Sequence, residues 1–95
     1  MASYYSFLSL SYTLSNDNIN RVSDTPQPFY ECNIHCATHP VYYGTGEICE
    51  APLSVGDVAF FKNGNLQDIF VKNQGAGNNG KIIIVATVPT AEKAF

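Results

Sequence analysis

The sequence predicts an all-β domain, a small antiparallel sandwich or partly open barrel, and three observations carry that expectation. Short runs rich in Tyr, Phe, Val and Ile alternate with clusters of Asn, Gly and Pro, the pattern of strands separated by turns. The run Ile82-Ile83-Ile84-Val85 is consecutive and β-branched, which suits a pleated sheet better than a helix. No segment requires a helix to account for it, and strand-turn repetition without helices indicates a sandwich or barrel.

The first element is a long strand from Ser3 to Leu14. Tyr4, Ser6, Leu8, Leu10, Tyr12 and Leu14 share one face and Tyr5 and Phe7 the other, because successive side chains alternate across a strand. A helix is disfavoured there by the serines and aromatics and by the lack of Ala, Glu, Lys and Gln. Residues Ser15 to Asn20 form a turn, since Asn and Asp side chains bond to nearby backbone and tolerate left-handed conformations. Arg21 to Ser23 makes a short strand. Thr25-Pro26-Gln27-Pro28 forces an extended or turning path, and the strand resuming at Phe29 and Tyr30 is expected at a sheet edge, where a proline leaves no ladder partner unsatisfied.

Val41-Tyr42-Tyr43 begins the next strand and Gly44-Thr45-Gly46 turns it, followed by a loop through Pro52 to Gly56. Asp57 to Phe61 is an apolar run leading to Asn63-Gly64, the dipeptide that most favours a type I′ hairpin, with Leu66 to Lys72 as the return strand. A polar, glycine-rich loop from Asn73 to Gly80 precedes the last strand, Lys81 to Val88, which is expected to be central and buried on both faces. Residues 90–95 read as a short C-terminal tail whose Phe95 docks elsewhere. The chain is thus one β-domain spanning residues 1–95, with no repeat and no linker. Beginning at Met1 with its first strand almost at once, it reads as a complete cytosolic product.

Composition narrows the function. Charged residues are 14% of the chain, against ~25% in an average globular protein. A surface so short of charge lacks both solubilising repulsion and the desolvation penalty of charged interfaces, so association with itself or with a neighbour is expected. The net charge of −3 and the scattered Arg21, Lys62, Lys72, Lys81 and Lys93 form no basic stripe, which argues against nucleic acid as a partner. No run approaches the ~20 apolar residues of a membrane-spanning helix, so no membrane partner is expected.

The one dense constellation is Cys32, His35, Cys36 and His39, with Cys49 beyond it. Thiolate and imidazole are the favoured zinc donors, and these five residues could close a tetrahedral structural site. The interleaved spacing differs from the Cys-x2-Cys of zinc knuckles. The alternatives are cysteines buried as small hydrophobes with histidines in a solvent-facing loop, or a disulfide joining Cys49 to Cys36 or Cys32, which needs an oxidising compartment and leaves one thiol unpaired. A Cys/His nucleophile is disfavoured, because His35 and Cys36 on one strand point to opposite faces. Glu47 and Glu50 lie in a loop with nothing to desolvate them, so no acid–base pair emerges. Asn16-Asp17-Asn18 lacks the glycine and the final acid of a calcium loop. No enzyme activity and no cofactor are expected. Tyr42 and Tyr43, each an apolar ring with a polar edge, are candidates for an interface or a glycan platform.

The run from Tyr42-Tyr43-Gly44-Thr45-Gly46 through Gly56-Asp57-Val58-Ala59-Phe60-Phe61-Lys62-Asn63-Gly64 to Lys81-Ile82-Ile83-Ile84-Val85 resembles small β-domains in virion proteins of tailed bacteriophages, auxiliary capsid or decoration proteins foremost. The resemblance covers roughly the C-terminal half, rests on strand order and turn residues, and carries over no site residue. It implies a structural protein, made in the host cytoplasm, that sits in repeated copies or as a homo-oligomer on a shell of major capsid protein and strengthens it. The Cys/His segment departs from that pattern. A carbohydrate-binding or adhesin-like β-domain is the alternative, and a small zinc-stabilised binding module the second.

Overall fold

The computed structural model describes residues 5–45, 48–75, 77 and 79–89, so the expected tail, with Phe95, lies outside the described residues. The strands are β1 (Tyr5–Thr13), β2 (Asn20–Arg21), β3 (Pro28–Cys36), β4 (Val41–Thr45), β5 (Ala51–Leu53), β6 (Val58–Asn65), β7 (Ile69–Asn73) and β8 (Lys81–Pro89). They form two four-stranded antiparallel sheets, sheet A in the order β1-β8-β3-β6 and sheet B in the order β2-β7-β4-β5. The fold is a sandwich, and neither sheet closes into a barrel.

The core lies between the sheets because each strand of sheet A turns alternate apolar side chains inward. Across β1, β8, β3 and β6 the inner rows are Leu10-Ile84-Ile34-Ala59 and Leu8-Ala86-Cys32-Phe61. Sheet B answers with Val41, Leu53, Ile69 and Val71, all buried in the same cluster. Leu14, fully buried just beyond β1, seals one corner, and its N–H donates to the Gly80 carbonyl at 2.9 Å.

A buried asparagine ties the loops at that corner. Asn73 is 3% exposed; its Nδ2 donates to the carbonyls of Leu14 at 3.5 Å and Asn16 at 3.0 Å, and its Oδ1 accepts from the Gly80 N–H at 2.7 Å. The Ser15 to Asn20 turn forms as expected, with Asn16 Oδ1 accepting from the Asn18 N–H at 2.9 Å and from Asn20 Nδ2 at 3.2 Å. These are the local side-chain bonds that make Asn a turn former.

Four expectations need correction. The Asn63-Gly64 hairpin does not form: β6 continues through both residues and pairs with β3, while β7 belongs to the other sheet. Asn63 does take the left-handed conformation, φ 52°, but Gly64 does not, and a type I′ turn needs both. Gly64 instead makes room for Phe29, whose ring carbon would stand 2.8 Å from an added Cβ. The chain then crosses to sheet B through a 3-10 turn, Leu66–Asp68, capped by Asn65, whose Oδ1 accepts from the N–H groups of Gln67 at 3.0 Å and Gln27 at 2.9 Å.

Secondly, β3 is interior rather than an edge. Pro28 is its first residue, and β8 begins to pair only at Glu31, so the missing N–H falls where no second ladder runs. Thirdly, β8 is central as expected but buried mainly on one face: Ile82, Ile84, Ala86 and Val88 point inward, while Val85 is 42% exposed. Fourthly, the loop after Gly46 contains β5, which pairs with β4. Its proline at Pro52 masked it, and a proline is admissible there because β5 is an edge.

Candidate functional site

The outer faces of the two sheets differ in kind. On sheet B, a segment at Ile48 and Cys49 lies directly on Gly44: the Ile48 carbonyl occupies the space that a Cβ there would need. Cys49 is buried beneath this cover, and the Arg21 guanidinium sits 5.1 Å from the centre of the Phe70 ring, which is itself only 6% exposed. Sheet B therefore carries its own lid of backbone and cation.

Sheet A presents its outer face uncovered among the described residues. Two rows cross it from β1 to β6, Ser11-Ile83-His35-Val58 and Ser9-Val85-Asn33-Phe60. A third, Phe7-Thr87-Glu31-Lys62, closes one end. Val58 is 52%, Phe60 51% and Val85 42% exposed, so apolar side chains stand exposed on the edge strand β6 and on the interior strand β8, among Ser, Asn and His. The only charges in these rows are Glu31 and Lys62 at the rim, and the Lys62 ammonium lies 5.8 Å from the centre of the Phe60 ring. Exposed apolar side chains on a face with few charges are a feature of protein-binding surfaces. The signal in the sequence was Val58-Ala59-Phe60-Phe61, apolar on both alternating positions. The inward pair is Ala59, buried, and Phe61, partly buried against the core; Val58 and Phe60 are the outward ones.

The cysteine and histidine candidates do not converge. Cys32 and Cys36 point into the core, fully buried, while His35 between them faces solvent on the outer face, as strand alternation requires. Four residues apart on a strand, the two thiols are separated by about 13 Å. Cys36 Sγ instead donates to the His39 carbonyl at 3.0 Å. All three cysteines are free thiols, so neither disulfide alternative forms, and no three of the described His, Cys, Asp or Glu residues gather in one metal-binding group. Burial pushes the Cys32 thiol up to about 11 and raises Cys36 and Cys49 as well, the opposite of what a nucleophile or metal ligand needs.

The two tyrosine candidates face opposite sides of sheet B, Tyr43 inward against the core and Tyr42 outward. Tyr43 meets Phe61 edge to face, ring centres 5.8 Å apart at 89°, and Tyr42 is half-buried between Lys72 and Pro52 on neighbouring strands. A cavity of about 260 Å³ opens between the sheets, lined by Phe29, Phe61, Lys62, Asp68 and their neighbours. Nothing in it sets a nucleophile beside a base. Searches against protein-family models, characterised proteins and solved structures find no match to this chain.

Proposed function

We propose that the protein is a structural one that docks through the outer face of sheet A onto a repeating protein surface, as an auxiliary protein on the shell of a tailed-phage capsid. The observation that carries the proposal is the exposed apolar trio Val58, Phe60 and Val85, on an outer face whose rows carry only Glu31 and Lys62 as charges. Burying such a face stabilises by roughly 25 cal/mol per Å² of apolar area, and desolvates few charges. Copies repeated across a shell need only modest affinity each, since multivalent contact raises avidity by ~10² to 10⁴. The resemblance to decoration proteins supplies the nature of the surface, and the partner is the major capsid protein.

A glycan platform built on Tyr42 and Tyr43 has less support, because Tyr43 packs inward against the core and the two rings face opposite sides of the sheet. The test is co-sedimentation. Shells assembled from the major capsid protein encoded in the same genome should carry the added protein through a density gradient at a fixed stoichiometry. Shells that sediment bare at saturating protein refute the proposal.

A further inference from the structure

Sheet edges are ready templates for another strand, and proteins usually blunt them with charge, proline, irregularity or brevity. Three of the four edges here are blunted. β2 is two residues long and β5 is three with Pro52 in its middle. β6 carries Lys62 and the left-handed Asn63, whose rung with Tyr30 is missing from an otherwise constant register. The fourth edge, β1, has none of these devices: its nine residues, YSFLSLSYT, include no charge, no proline and no glycine, and β8 is the strand paired with it among the described residues.

We propose that β1 is a homodimer interface, pairing antiparallel with β1 of a second copy about a twofold axis at Ser9. The occupant follows from the strand itself. Reversed about Ser9, the central Leu8-Ser9-Leu10 reads onto itself: Leu8 meets Leu10 of the other copy, Leu10 meets Leu8, and Ser9 meets Ser9. Both leucines lie on the inner face, opposite Ala86 and Ile84 of β8, yet Leu10, on the edge strand, is 37% exposed. Self-pairing puts leucine against leucine on that face, brings no like charges together, and joins two copies of sheet A into one eight-stranded sheet. A closed twofold pairing also uses up the edge instead of propagating it. The dimer doubles the exposed outer face, but it does not rest on capsid docking and forms without a shell.

Sedimentation velocity over a concentration series tests it with the whole chain. The wild-type protein passes from monomer to dimer, and Ser9→Lys stays monomeric, since it sets two ammonium groups opposite each other at the axis while altering only an exposed position in the monomer. Ser9→Cys supplies an independent reading. Directly opposed residues on antiparallel strands have Cα atoms ~4.5 to 5.5 Å apart, within disulfide reach, so oxidation gives a covalent dimer. Ser11→Cys, which faces Phe7 in this register, does not, and the native thiols are buried and do not compete. A wild-type protein that remains monomeric overturns the proposal; so does a Ser9→Cys chain that fails to cross-link, whatever the fold of the lysine variant.

Discussion

Asn73 shows how much one residue can hold. Its amide satisfies two carbonyls of the β1–β2 turn and one N–H at the start of β8, all in a corner that Leu14 seals from water. Truncation leaves those groups desolvated and unpaired, so Asn73→Ala should lower unfolding free energy by ~1 to 3 kcal/mol, read as a reduced urea midpoint at unchanged m-value. The cysteines set a pH dependence. An unfolded Cys32 loses its proton near pH 9, and the folded one holds it until about 11, so between those values the folded chain binds more protons and stability falls as the pH rises. The loss approaches ~1.4 kcal/mol per pH unit for one such thiol. Cys32→Ala should flatten the alkaline limb of the stability curve. A limb of unchanged slope would mean that this thiol does not set it.

At the scale of elements, the strands were legible where one face alone is buried. The alternation of β1 is written directly in the residues, whereas β3 runs on through His35 to Cys36, where the sequence pointed to histidines in a loop. The errors arose where a local preference met a tertiary contact. Asn63-Gly64 has hairpin chemistry, but the Phe29 ring over Gly64 and the Asn65 cap keep the chain extended and send it to the other sheet. β5 was hidden by its proline. The consecutive isoleucines of β8 signalled a central strand correctly, yet could not reveal that one of its faces looks outward. At Gly44 the space that a Cβ would need is taken by the Ile48 carbonyl. Gly44→Ala should lift that segment from sheet B, cost ~1 to 3 kcal/mol, and make Cys49 react faster with a thiol reagent than in the wild-type protein. Equal reactivity would show that the segment stays in place.

For the whole molecule, the two sheets divide the work. Sheet B covers itself with the Ile48–Cys49 segment and with Arg21 over Phe70, and sheet A leaves Val58, Phe60 and Val85 in water. The low charge of the chain pointed to a docking protein, whereas the face proposed to dock came into view only from the pairing of four strands, no two of them consecutive in the chain, into one sheet. A charge placed on that face at the exposed Phe60 should leave the fold intact, because exposed substitutions usually change stability by less than ~0.5 kcal/mol, while opposing burial against a partner. The decisive measurement is therefore the binding of Phe60→Glu, beside the wild-type protein, to shells of the major capsid protein from the same genome. Wild-type binding that the glutamate abolishes, with the two proteins equally stable to urea, is the predicted result. Equal binding by both would contradict docking through sheet A.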